Sequence, residues 1–94
     1  MNININFLRI PIYNLYYIDD VADFAGLSVE DSRSLQEVYD EEELKGIFEA
    51  LAWAIKNPEY DFLSLLPNLR HSNEDIYLYL CKIERSLTAA GVTY

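Results

Sequence analysis

Acid–base or nucleophilic chemistry would have to start from very few side chains. The chain has one histidine, His71, between Arg70 and Ser72, and one cysteine, Cys81. A Cys–His couple activates its thiol only when the two side chains lie within hydrogen-bond reach. Cys81 falls beside the apolar stripe of the last predicted helix, where a free cysteine mostly acts as a small hydrophobe. His71 falls in a predicted loop and reads as a surface or structural side chain. Gly26, Gly46 and Gly91 stand apart, so no glycine-rich loop cradles a phosphate. No Cys-x-x-Cys or His-Glu-x-x-His spacing occurs, and the acids do not alternate around a glycine as a calcium loop requires. Sixteen acids could be paired for glycoside hydrolysis in many ways, but nothing in the sequence supplies a cleft for a sugar. The expectation is a protein that is not an enzyme, with no catalytic residue, metal ligand or cofactor.

Carboxylates and tyrosines carry the specificity that the sequence has. Asp19, Asp20, Asp23, Glu30, Asp31, Glu37, Asp40, Glu41, Glu42 and Glu43 share residues 19–43 with a single base, Arg33, and leave that segment at −9. The rest of the chain has six acids and six bases and is neutral. A field of this sign repels nucleic acid and anionic membranes. It draws in a cationic partner and can raise its association rate by about 10–10³ at low salt. Eight tyrosines accompany the charge. Tyrosine is enriched at protein interfaces, where the ring buries area and the hydroxyl keeps a partner. Tyr79 reads as core, whereas Tyr16, Tyr17 and Tyr39 lie close in sequence to the acids. Acidic surface also serves solubility alone. Its concentration beside aromatic rings is what points to a binding face. The expected partner-binding set is the ten carboxylates together with Tyr39.

A scaffold for that face has to come from 94 residues. A chain this long buries roughly two-thirds of the surface its unfolded form exposes. That is one core and one domain, 1–94, with little left for a deep catalytic cavity. Three glycines and three prolines leave few tight turns, which favours helices over a many-stranded sandwich. The expected fold is mainly α: a small single-domain bundle of four to five helices over 19–91, after an apolar N-terminal segment, 1–18. Asn2 to Phe7 alternates polar and apolar, the period of a short strand, and Pro11 limits its extent. Asp19 or Asp20 caps a short helix through Ala25, with Gly26 as terminator. Ser28 to Asp31 resembles a capping box and opens a weakly apolar helix to Asp40.

The clearest helix spans about Asp40 to Asn57, with Leu44, Ile47, Phe48, Leu51 and Ile55 on one stripe. Glu41, Glu42 and Glu43 fill its first turn, where carboxylates meet the positive end of the helix dipole. Asn57-Pro58 reads as its stop and as the cap of a short apolar helix that ends at Pro67. Ser72 caps the last helix, Ile76, Tyr79, Leu80, Ile83 and Leu87 face inward, and Gly91 closes it. One cysteine allows no internal disulfide, Met1 to Asn6 lacks a basic signal-like start, and no membrane span is present. The expected location is the cytoplasm.

From Glu41 to Gly91 the chain resembles the immunity proteins of nuclease colicins and pyocins. Glu41-Glu42-Glu43-Leu44 followed by Phe48 is similar to the family's acidic second helix. Asn57-Pro58 and the apolar run to Pro67 are similar to its third. Ser72 to Gly91, with Ile76, Lys82 and Arg85, is similar to its fourth. The family's third helix contacts the toxin through an Asp and a Tyr-Tyr pair before the proline. Leu65 and Leu66 stand there in this chain, so no contact is carried over. The resemblance implies a four-helix domain that binds a basic nuclease toxin and blocks it in bacterial competition. Immunity proteins of contact-dependent growth inhibition do the same work on diverse folds and fit equally well.

The functional expectation is an immunity or antitoxin-like inhibitor of a basic toxin domain, with a nuclease as the partner. Two alternatives accompany it. One is a DNA-mimic or phage-type inhibitor of a nucleic-acid enzyme. The other is a structural subunit that docks through its apolar N-terminal segment.

Overall fold

The computed structural model describes residues 4–92. Among them it has four α-helices joined by 3₁₀ turns and loops, and no strand. The helices are α1 (Arg9–Ile12), α2 (Val29–Val38), α3 (Glu41–Lys56) and α4 (Asn73–Ala89). Two 3₁₀ turns, Ile5–Leu8 and Tyr13–Tyr17, flank α1 and make residues 5–17 one helical run. Two more, Val21–Asp23 and Phe62–Leu65, punctuate the connections. The chain is therefore a small, mainly α bundle.

The strand expected over Asn2 to Phe7 is corrected for the residues described; Met1 to Ile3 lie outside them. Asn4 accepts from the Asn6 N–H at 3.1 Å and so caps the 3₁₀ turn that follows. A lone strand has no ladder to satisfy its peptide groups, whereas a helical run satisfies them within itself. Leu8, Pro11, Ile12 and Leu15 fall at helical spacing and are all buried. The aliphatic side chains of this segment thus serve the chain's own core. Phe7 lays its ring over Gly46 of α3, where a β-carbon would stand 2.4 Å from the ring.

α3 and α4 form the centre of the bundle. Asp40 caps α3 by accepting from the Glu43 N–H at 2.8 Å, and the Glu43 carboxylate accepts from the Asp40 N–H at 3.3 Å. That reciprocal pair satisfies two donors that a helix start leaves open. Leu44, Ile47, Ala50, Leu51 and Ala54 are buried, while Phe48 and Ile55 are half-buried at the edge of the stripe. Asn57 closes this helix and does not open another, a second correction. Its side-chain amide donates to the Trp53 carbonyl at 2.8 Å, and Pro58-Glu59 is a turn. The short helix begins only at Phe62, where Asn73 holds both sides of the bend. The Asn73 side-chain oxygen accepts from the Phe62 N–H and its amide donates to the Tyr60 carbonyl, each at 2.7 Å.

In α4, Ser72 accepts from the Asp75 N–H at 3.1 Å, and Ile76, Tyr79, Leu80, Ile83 and Leu87 are all buried. Gly91 takes the left-handed conformation, φ +72°, that ends such a helix at low cost. Tyr79 donates its hydroxyl to the Pro11 carbonyl, and burial pushes its pKa up to about 12. No described helix is long and apolar enough to cross a membrane.

Candidate partner-binding face

The acidic segment is laid along α4 by bonds to main-chain atoms. The Lys82 ammonium donates to the Val21 carbonyl at 2.7 Å and to the Phe24 carbonyl at 2.8 Å. The Ser86 hydroxyl oxygen accepts from the Leu27 N–H at 3.0 Å. Arg33 reaches the Ala90 carbonyl at 3.4 Å. Residues 21–33 therefore run in the same direction as α4, towards its C-terminal end. Gly26 permits the close approach: its φ is +103°, and a β-carbon there would lie 2.4 Å from the Ser86 hydroxyl. At the other end, the His71 imidazole Nε2 meets the Ile18 carbonyl at 2.7 Å and the Leu15 carbonyl at 3.2 Å. Two carbonyls accept, so that nitrogen carries a hydrogen and fixes the tautomer. His71 thus ties the N-terminal run to the loop before α4.

Nine of the ten carboxylates belong to exposed residues; Glu43 is half-buried, as is Tyr39. Asp20 caps the Val21–Asp23 turn by accepting from the Ala22 N–H at 2.9 Å. Glu30 and Asp31 sit in the first turn of α2, capped by Ser28, which accepts from the Asp31 N–H at 3.0 Å. One ion pair occurs among the described residues, Asp19 with Arg70 at 3.7 Å, both highly exposed. A pair so open to solvent contributes little. The acids form two groups. Asp19 to Asp31 are strung beside α4, from the loop before it towards its last turns. Glu37 and Asp40 to Glu43 gather where α2 turns into α3, and Asp40, Glu41 and Glu42 share an open hollow with Lys45.

A second feature adjoins the α2–α3 corner and has no counterpart in the sequence reading. A largely apolar groove of about 310 Å³ opens between the N-terminal run and the end of α2. Ile10, Tyr13 and Asn14 line one wall, Leu35, Val38 and Tyr39 the other, and buried Ile47, Ile83 and Leu87 lie beneath. Its rim is apolar yet solvent-facing: Tyr13 is 52% and Val38 69% exposed. The Tyr13 ring packs 5.4 Å from that of Tyr16 and 6.0 Å from that of Tyr17. Tyr16 donates its hydroxyl to the Pro67 carbonyl. Hydrogen bonding to Tyr13 raises the Tyr17 pKa above its ordinary value, with smaller contributions from charge interaction and desolvation. Tyr39 joins groove and charge, since it lines the wall and is followed at once by Asp40.

Helical periodicity puts Ile10 and Tyr13 on the side of the run away from Leu8, Pro11, Ile12 and Leu15, so nothing in the sequence marks them as one wall of a groove. Cys81 is half-buried beside Tyr77, whose hydroxyl donates to the Ile55 carbonyl at 2.9 Å. Hydrogen bonding to Cys81 is the main cause of a raised pKa at Tyr77. Among the described residues no three potential metal ligands are gathered. Comparison with protein families, curated proteins and solved structures finds no match for this chain.

Proposed function

We propose that this chain is an immunity or antitoxin-like inhibitor that binds and neutralises a basic toxin domain, a nuclease by class. The observation that carries the reading is charge with little internal ion pairing: ten carboxylates against one base over residues 19–43, with a single exposed ion pair among the described residues. Carboxylates held in internal pairs would present little external field. Nine of the ten belong to exposed residues, and their field is available to another molecule. A nuclease must present a basic cleft to bind phosphates, so it offers the matching surface. Two modes of inhibition are open: covering the cleft, or binding beside it and excluding nucleic acid by repulsion. The sequence resemblance of Glu41 to Phe48 and of Ser72 to Gly91 to nuclease colicin and pyocin immunity proteins supports the same reading, whereas its middle part does not, since no helix begins at Asn57-Pro58; the cytoplasm is where such a protein would act.

The test is to co-express the chain with any toxin-like domain found encoded next to it, scored as cell survival, and then to follow association kinetics between about 50 and about 500 mM salt. Glu37→Lys/Glu41→Lys/Glu42→Lys should reduce survival, slow association about tenfold or more at low salt and flatten the salt dependence. Glu43 is left intact because it closes the capping box of α3. The reading fails if no neighbouring toxic domain is neutralised, or if the reversed protein associates as fast as the original.

A further inference from the structure

The charge accounts for attraction but not for where a partner would be held. Two exposed apolar side chains, Tyr13 and Val38, stand on opposite walls of one groove whose base is the bundle core. Val38 lies between Glu37 and Tyr39 in the chain and Asp40 follows; Glu37 and Asp40 do not line the groove, but both are exposed residues of the acidic corner that adjoins it. An apolar pocket rimmed by polar groups is the arrangement in which one buried side chain dominates binding energy. A second copy of this chain is disfavoured as occupant. A twofold contact would set each copy's Glu37 and Asp40 against the other acidic surface, and like charges facing one another oppose association.

We infer that the groove between Tyr13 and Val38 receives a large apolar or aromatic side chain of the partner, flanked there by lysine or arginine that meets Glu37 and Asp40. This rests on the inhibitor reading and places its anchor. Steering and residence are then divided: the acids govern the rate of encounter, and the groove governs the lifetime of the complex.

The inference is tested with short peptides and amide NMR, independently of any toxin. Lys-Arg-Trp-Arg-Lys is titrated into the protein, with Lys-Arg-Ala-Arg-Lys and Glu-Glu-Trp-Glu-Glu as comparisons. The basic tryptophan peptide should shift the amides of Leu35, Val38, Tyr39 and Ile83 saturably, and the acidic one should leave them unmoved. The basic alanine peptide should bind about tenfold more weakly and shift only the Asp40–Glu43 region. Val38→Ala and Tyr13→Ala should each weaken the tryptophan peptide by about fivefold or more, and Val38→Ala, which removes no ring contact, should leave the melting temperature unchanged. Equal binding of the tryptophan and alanine peptides overturns the groove while leaving the charge reading intact. Equal binding of the basic and acidic tryptophan peptides overturns the basic occupant. Groove shifts that appear with protein concentration alone would assign the site to a second copy. Loss of toxin neutralisation with an intact groove response would instead count against the proposed function.

Discussion

Replacing Gly46 with alanine sets two measurable effects against each other. Gly46 sits inside α3, where alanine is favoured over glycine by about 0.8–1 kcal/mol from helix propensity. Against this, the new β-carbon would stand 2.4, 2.6 and 2.7 Å from three atoms of the Phe7 ring. Ordinary contact begins near 3.4 Å, so the ring must retreat by about 1 Å. It can do so by rotating its side chain out of its contact with α3 or by lifting the start of the N-terminal run. Overpacking of this kind costs about 1–3 kcal/mol, leaving a net destabilisation of roughly 1 kcal/mol. For a domain of this size that lowers the melting temperature by about 4–8 °C. Thermal and urea unfolding followed by circular dichroism would measure it. The decisive comparison is the same substitution in a Phe7→Ala background. With the ring gone, Gly46→Ala should stabilise by about 0.8–1 kcal/mol, so the sign reverses. If Gly46→Ala stabilises both backgrounds equally, Phe7 does not lie on α3 and the packing of the N-terminal run described above is wrong.

Other expectations follow from the same contacts. Tyr79 is neutral in the fold up to about pH 12, whereas a tyrosine of the unfolded chain ionises near 10. Its raised pKa therefore contributes stability that is fully present below pH 10 and falls as pH rises towards 12, by roughly 3 kcal/mol in total. Urea midpoints measured across that range should drop, and Tyr79→Phe should remove this part of the slope. Lys82→Met removes two charge-assisted bonds to main-chain carbonyls and should cost about 1.5–3 kcal/mol. Hydrogen exchange at Phe24 and Leu27 should then accelerate ahead of the core of α4, and unchanged exchange there would exclude Lys82 as the anchor. Asn73→Ala leaves the Phe62 N–H and the Tyr60 carbonyl without that partner, for an expected loss of about 1–3 kcal/mol in chemical denaturation.

α4 was legible almost entirely, because cap, stripe and terminator are local signals that agree with one another. Ser72, the five inward residues from Ile76 to Leu87, and Gly91 each do what their type and spacing imply. α3 was legible for the same reason, with its capping box written in Asp40 and Glu43. The N-terminal run is ambiguous in the sequence because polar–apolar alternation over six residues suits a short helical turn as well as a strand. Asn57 is ambiguous because one side chain can serve the end of one helix or the start of the next. The ties made by Lys82, Ser86, His71 and Asn73 could not be read at all. Their partners are peptide groups, which every residue type provides, so no pattern of side chains announces them. The candidate face divides along the same line. Its charge is a property of composition and was readable, whereas the groove draws walls from segments some 25 positions apart and exists only once they meet.

The attachment of residues 21–27 through their peptide groups has a consequence for inheritance. Lys82 and Ser86 grip carbonyls and an N–H that remain when a neighbouring side chain is exchanged. Asp23, Ala25 and Glu30 are exposed and contribute no atom to these bonds. Mutations at such positions can accumulate with small effects on folding, so the outer surface of this segment is free to drift. For the inhibitor proposed above, that surface can be revised one codon at a time, over a frame that does not register the change.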